Sequence, residues 1–266
     1  MSETIEARNV ALVFDIHGNL RALEAVLEDI GNRSDIDAVI FGGDYAVNGP
    51  EPTECVRRVM ETNHPAILGN TDEYLTTKFE AHREDPVVEW TQQQLGDAEL
   101  EWLGARPFDV SVAPPEEGDV PENRLHVVHA NPVDTERPIL VEPHAYSGWS
   151  MTSPEEADKL LQNERAQMTV FGHIHYPMAG HFGDRRVRAV GSVGFPWDGN
   201  QKAAYGLARW NGDGWTLQDI RISYDTESVV DAILESGMPE AEARADSIRD
   251  ASFVPLAPSD DDDDEA

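Results

Sequence analysis

The sequence predicts an α/β fold organised on a parallel sheet, and three observations lead there. Short apolar runs alternate with segments of helical periodicity through the N-terminal part of the chain. Each run ends on a glycine or on an Asp, Asn or His rather than in an ordinary polar turn. The 266 residues can bury a substantial core without staples, and the single cysteine, Cys55, excludes a disulfide framework and any cysteine-built zinc site.

In chain order, VALVF at 10–14 is a continuous apolar run, as a strand buried on both faces requires. After DIHGN, the segment LRALEAVLEDIG sets Leu20, Leu23, Val26, Leu27 and Ile30 at helical spacing and ends on Gly31. DAVIFGGD repeats the strand pattern, PTECVRRVMET reads as a helix with Pro52 near its start, and PAILGN reads as a third strand. Strand, helix, strand, helix, strand implies a parallel sheet. Residues 72–105 read as helical, with the Trp90 segment and GDAELEWLGA as separate helices, the latter capped by Asp97. LHVVHANP is another strand running into a loop, and 132–150 is an irregular insertion rich in Pro and Gly. Ser153, Pro154 and Glu156 open a helix with capping-box spacing, and MTVFGHIH follows as strand then loop. From 177 to 224 the pattern changes to short antiparallel strands with turns such as NGDG, and a last helix is expected near 226–236. The chain divides into a tail at 1–8, one domain at 9–251 and an acidic tail at 252–266, which like-charge repulsion keeps disordered. It contains no internal repeat.

Charge is the most unusual bulk property: 51 acidic residues against 20 basic ones, formally −31. Such a field opposes nonspecific binding to nucleic acid and to anionic membranes. Lysine is scarce, with only Lys78, Lys159 and Lys202, and acidic excess with few lysines fits a chain adapted to high intracellular salt. An acidic protein from a GC-rich genome is the alternative. The polar start MSETIEARN and the shortness of the first apolar run lead to the expectation of a soluble cytoplasmic protein.

Five strand-like runs end in residues that can bind metal: VFDIH, FGGD, LGN, VVHA and FGHIH. Ligands of open α/β sheets sit beyond the carboxyl ends of the strands, so these ends can converge. The candidate ligands are Asp15, His17, Asp44, Asn70, His129, His173 and His175. In extended chain, residues two apart point the same way, so Asp15 with His17, and His173 with His175, can each present two side chains to one cavity. Gly43, Gly69 and Gly172 precede three of the candidates, where a missing side chain leaves room beside a crowded site. Carboxylate, imidazole and amide oxygen without thiolate favour Mn, Fe, Zn, Co or Ni. Seven side chains suit two metals sharing a carboxylate better than one tetrahedral ion.

The ordered series DIH (15–17), GDYAVNG (43–49), GNTD (69–72), HA (129–130) and GHIH (172–175) resembles that of the calcineurin-like metallophosphoesterases. DIHGNLRALEAVL and VGSVGFP resemble the small prokaryotic branch of that family. The resemblance implies a four-layer α-β-β-α sandwich of two mixed sheets flanked by helices, with a dinuclear metal site at the C-terminal edge of the strands. It implies Asp15, His17 and His175 on the first metal, Asn70, His129 and His173 on the second, and Asp44 bridging. Asp44, Asn70 and His129 then carry catalysis, with two divalent ions, manganese first and Fe, Ni, Co or Zn as alternatives. The implied reaction is in-line attack on a small phosphomonoester, phosphodiester or nucleotide by hydroxide held between the metals.

One position departs from the pattern. Much of the family has histidine directly after Gly-Asn, acting as general acid, and here that position is Thr71. A hydroxyl is too weak an acid to replace it, so a contribution of about 100- to 10,000-fold is missing there. The small branch often lacks this histidine, so activity survives and good leaving groups such as aryl or phosphoanhydride esters are preferred. His144, in the insertion, is the candidate replacement, against the plainer reading of a surface-loop histidine. His64 lies at the wrong end of PAIL, and His82, His126 and His181 have no motif context. Asn48, Thr71 and His144 are the candidate substrate contacts, Tyr146 and Trp149 can stack on a base or aryl group, and Asp72 is expected to cap the next helix. The alternatives are a non-catalytic scaffold of the same fold, which seven retained ligands argue against, and a protein phosphatase, which would want the missing histidine.

Overall fold

The computed structural model describes residues 3–144, 148–161 and 163–253. Two mixed sheets face each other. One has the order β12 (Trp215–Ile222), β11 (Ala203–Trp210), β2 (Asn9–Val13) and β3 (Ala38–Phe41). The other has the order β1 (Glu3–Glu6), β4 (Asp109–Ala113), β5 (Leu125–Val128), β8 (Met168–Phe171), β10 (Arg185–Ala189) and β9 (Met178–Phe182). β2 runs parallel to β3, and β5 runs parallel to β8, so within each sheet these strands end at a common edge.

The continuous apolar run in β2 is explained by its two burial partners. Val10 and Leu12 point between the sheets, against Val110, Val112, Leu125, Val127, Met168 and Val170. Ala11 and Val13 point outward, into a core shared with helices α1 (Leu20–Gly31) and α2 (Pro52–Thr62). Period-two alternation thus places Val10 through Val13 against apolar neighbours, each large side chain contributing about 1.5–3 kcal/mol. Four further helices, α3 (Asn70–Leu75), α4 (Phe79–His82), α5 (Pro86–Gln94) and α6 (Asp97–Gly104), follow β3. A third apolar cluster, with Val128, Ile139, Leu140, Phe171 and Val187, covers the outer face of the six-stranded sheet. Helix starts follow the expected chemistry: Asn19 caps α1 by accepting from Ala22 N, and Ser153 caps α7 (Pro154–Leu160) by accepting from Glu156 N. No helix among the described residues is long and apolar enough to cross a membrane.

Several elements differ from the sequence reading. Residues 3–6, expected in a tail, form β1 and pair in parallel with β4. The acidic composition hid an edge strand whose Ile5 packs between the sheets. PAILGN makes only an isolated parallel bridge, Ala66 to Phe41, because Leu68 N donates to Pro107 O and leaves the ladder. The expected irregular insertion contains a hairpin, β6 (Val141–His144) with β7 (Gly148–Met151), anchored by the buried Leu140 and Val141. Gly96, not Asp97, is the cap of α6, and Glu99 reaches back to Gly96 N. The region 177–224 is only partly antiparallel: β9 pairs antiparallel with β10, but β10 pairs in parallel with β8. After α8 (Thr226–Glu235) comes an unanticipated helix, α9 (Ala241–Asp250), whose buried stripe is only Ala245, Ser247 and Ile248. Tyr146, the side chain of His144 and residues 254–266, hence nearly all of the expected acidic tail, lie outside the described residues.

Candidate metal centre

The seven candidate ligands leave the ends of four strands and the start of α3. Asp15 and His17 follow β2, Asp44 follows β3, His129 follows β5, His173 and His175 follow β8, and Asn70 is the first residue of α3. The backbone that carries them is not extended, as the two-residue spacings had suggested. Asp15, His17, Asp44, His173 and His175 all take positive φ, between 48° and 63°. Such a conformation costs a non-glycine residue about 1–3 kcal/mol, and here local hydrogen bonds hold it. Asp15 N donates to Gly43 O at 3.2 Å and His17 N to Asp44 O at 2.9 Å. Asp15 and His17 stay together, but after β8 the left-handed turns send neighbouring side chains apart: His175 joins Asp15 and His17, while His173 goes to Asn70 and His129.

Donor atoms converge in two linked sets. Asp15, His17 and His175 offer ligand atoms within 4.8 Å of one another, as do Asp15, Asp44 and His129. His17 Nε2 lies 3.1 Å from His175 Nε2. Asn70 Oδ1 lies 2.9 Å from His129 Nε2 and 3.1 Å from His173 Nδ1. Asp44 stands between the sets, with Oδ2 3.5 Å from His17 Nε2 and Oδ1 3.5 Å from His129 Nε2.

The protonation states follow from the backbone. His17 Nδ1 donates to Val47 O at 2.8 Å, His129 Nδ1 to Gly42 O at 2.8 Å, and His175 Nδ1 to Phe195 O at 2.6 Å. Each ring therefore turns an unprotonated Nε2 inward. Burial pushes His17 and His173 down to about 3 and His129 to about 4, which keeps the rings neutral, and it pushes Asp44 up to about 7, only partly offset by Thr71. Lone pairs of imidazole, carboxylate and amide oxygen thus face one another across a buried space. Such a set repels itself unless cations lie between its members, so the residues fit a pair of divalent ions.

Surrounding groups hold this set in place. Asp72 was expected to cap α3. It does accept from Gly69 N at 2.9 Å, but it also accepts from Asp44 N at 2.9 Å and Tyr45 N at 3.1 Å, so it fixes the backbone of the bridging residue. Thr71 N donates to Asp44 Oδ1 at 3.0 Å. Ser192, from the VGSVGFP stretch, donates to Asp15 O at 2.7 Å, and Trp197 stacks on His175 at 3.9 Å. Gly69 and Gly172 leave necessary space: a Cβ at Gly69 would lie 2.2 Å from Asp44 Oδ1, and one at Gly172 2.7 Å from Asp15 Oδ2.

Of the candidate substrate contacts, Thr71 is buried beside Asp44, and Asn48 takes φ 86° in the turn after Val47, whose carbonyl holds His17. His64 is exposed and packs near Phe41, away from the ligands. His126 pairs with Asp109 and Glu164, and His181 is exposed on β9. Trp149 is exposed on β7. The sequence reading missed Tyr74 and Glu136: Asn70 Nδ2 donates to Tyr74 Oη at 3.1 Å, and Tyr74 Oη donates to Glu136 Oε2 at 2.6 Å. His82, which has no motif context, stacks on Tyr74 at 3.7 Å. Tyr74 lies one helical turn after Asn70, and that spacing was the available signal.

Fold and donor set together fit a metal-dependent phosphoesterase. The chain belongs to the calcineurin-like phosphoesterase family, whose profile matches residues 9–177. It is similar to an uncharacterized protein of Methanocaldococcus jannaschii, 26% identical over 251 residues, covering 87% of this chain and 94% of that one. Among solved structures it is similar to a metallophosphoesterase from Sphaerobacter thermophilus, with TM-score 0.70 and 22% identity over 91% of this chain and 99% of that one. A hypothetical protein from Pyrococcus horikoshii OT3 is similar at TM-score 0.70 and 21% identity, covering 94% and 99%. These two likenesses show a shared fold.

Proposed function

We propose that this metal-dependent phosphoesterase hydrolyses a small phosphomonoester, phosphodiester or nucleotide, without a histidine general acid at Thr71. The observation that carries the reading is the convergence of carboxylate, imidazole and amide-oxygen donor atoms from Asp15, His17, Asp44, Asn70, His129, His173 and His175. In this reading Asp15, His17 and His175 hold one ion, Asn70, His129 and His173 hold the other, and Asp44 spans both, with manganese the first candidate metal. Bound divalent ions supply Lewis acidity toward the phosphoryl oxygens and lower the pKa of water. The chain supplies position. Asp72 and Thr71 fix Asp44, backbone carbonyls fix three imidazoles, and Asn70 presents its amide oxygen.

The Thr71 hydroxyl is too weak an acid to protonate a departing alkoxide near neutral pH, which favours leaving groups that depart as stable anions. The net charge of −31 opposes long polyanionic substrates, which supports a small molecule. The test compares p-nitrophenyl phosphate, its bis ester and alkyl phosphates with Mn, Ni, Co, Zn and Mg. Turnover of aryl esters well above alkyl ones is expected, with activity abolished in Asp44→Asn. Full activity in that variant would sink the reading.

A further inference from the structure

An amide ligand has a difficulty that a carboxylate lacks: its two ends are chemically opposite. Asn70 can serve a cation only with Oδ1 turned toward His129 and His173. The flipped amide would turn its N–H groups toward the lone pair of His129 Nε2, a favourable hydrogen bond whenever no ion is bound. Something on the other side of Asn70 must therefore favour the productive orientation.

That something is Tyr74. A phenol has one proton, and the Tyr74 proton goes to Glu136 Oε2 at 2.6 Å. Toward Asn70 the phenol then shows only a lone pair, which accepts from Nδ2 at 3.1 Å and would be repelled by Oδ1. Glu136 is itself held. Lys78 Nζ lies 3.0 Å from Glu136 Oε1 and 2.7 Å from Glu73 Oε2. Glu136 N donates to Asp134 Oδ1 at 2.9 Å, within a turn organised by the Asn131 side chain. From below, His82 stacks on the phenol ring at 3.7 Å.

We propose that Tyr74, polarised by Glu136, is the positioning residue that locks the Asn70 amide with its oxygen toward the second cation. The lock links helix α3 to the loop after β5, so the two elements bounding the site jointly set the order of one ligand. The proposal rests on Asn70 being a ligand of that cation.

The test is calorimetric titration of metal-free protein with Mn, supported by metal content at defined free-metal concentration. Tyr74→Phe removes the acceptor but keeps the ring on His82, and it is expected to weaken one of two binding events by about 10- to 100-fold while the other is unchanged. Glu136→Ala is expected to act in the same direction, and Glu136→Gln, which still offers an amide oxygen to the phenol, to restore most of the affinity. In an Asn70→Asp background both ends of the side chain are oxygens and there is nothing to orient, so adding Tyr74→Phe is expected to change affinity by about two-fold or less. Two results overturn the lock: unchanged binding in Tyr74→Phe, or the same loss with and without Asn70→Asp, which marks general loosening. Asn70→Ala separates this failure from that of the underlying reading. If it leaves both binding events intact, Asn70 is no ligand; if it abolishes one while Tyr74→Phe does nothing, only the lock is wrong.

Discussion

His17 Nε2 and His175 Nε2 stand 3.1 Å apart with both protons committed elsewhere, to Val47 O and Phe195 O. Two lone pairs at hydrogen-bond distance with no hydrogen between them are repulsive, and a cation removes the repulsion. Metal is therefore expected to stabilise the fold. At free Mn about 100 times its dissociation constant the gain is about 2.7 kcal/mol per site, or roughly 5–10 °C in a chain of this size. Differential scanning fluorimetry with EDTA and with added Mn checks this; a melting temperature indifferent to both would contradict it.

Asp72→Asn tests the anchoring of Asp44. The amide retains one acceptor oxygen for the N–H groups of Asp44, Tyr45 and Gly69 and turns a donor toward the rest. One or more buried N–H groups lose their partner, at a cost of about 1–3 kcal/mol. Activity should fall further than stability, because the backbone that moves carries the shared carboxylate. Chemical denaturation and kcat, measured on the same preparation, separate the two.

Gly69→Ala is a steric probe free of backbone strain, since Gly69 has φ −103°, open to any residue. The added methyl would lie 2.2 Å from Asp44 Oδ1. Loss of at least one bound ion per chain is expected by elemental analysis, and Gly183→Ala, which meets no neighbour but does take φ +63°, gives a comparison that leaves metal content unchanged.

His126 gives the protein a pH dependence unrelated to the metals. Burial disfavours its charge, but hydrogen bonds to Asp109 and Glu164 outweigh burial and raise its pKa to about 9. Below the ordinary value of about 6.5 both folded and unfolded states carry the proton and the full stabilisation is present. As pH rises toward 9 the unfolded chain sheds the proton first, so up to about 3 kcal/mol is lost across that window. The difference in unfolding free energy between wild type and His126→Gln, in chelator from pH 6 to 9.5, should decline with this profile, at most about 1.4 kcal/mol per pH unit. A flat difference would show that His126 does not carry a proton in the fold.

Thr71→His places an imidazole beside Asp44, at the position where the family resemblance implies a general-acid histidine. The ratio of alkyl to aryl phosphate turnover should rise about ten-fold or more, within the range of general-acid effects. A ratio that does not move would mean that leaving-group protonation is supplied from elsewhere or does not limit the rate.

Much of this was readable from the chain. The VALVF run announced a strand with two apolar faces, and Val10 and Leu12 against Ala11 and Val13 show why. The convergence of the candidate ligands was readable because six of them stand just after a strand and the family motifs mark those points, whereas Asn70 opens α3. What the sequence concealed was long-range or conformational. Glu3–Glu6 gains its place only from β4, more than a hundred residues away. The left-handed turns at His173 and His175 send these paired histidines to different partners, which extended-chain spacing does not foresee. Glu136 meets Tyr74 from a loop with no periodicity or motif to mark it.

Val47, Gly42 and Phe195 offer no side-chain ligand atom to the centre, yet their carbonyls aim three of its imidazoles. The aim of these three rings is thus set by the polypeptide rather than by an occupant. Discrimination among first-row metals then falls to their intrinsic affinities and their abundance. Preparations raised on media of different trace-element content are expected to differ in the ions they carry, which elemental analysis checks.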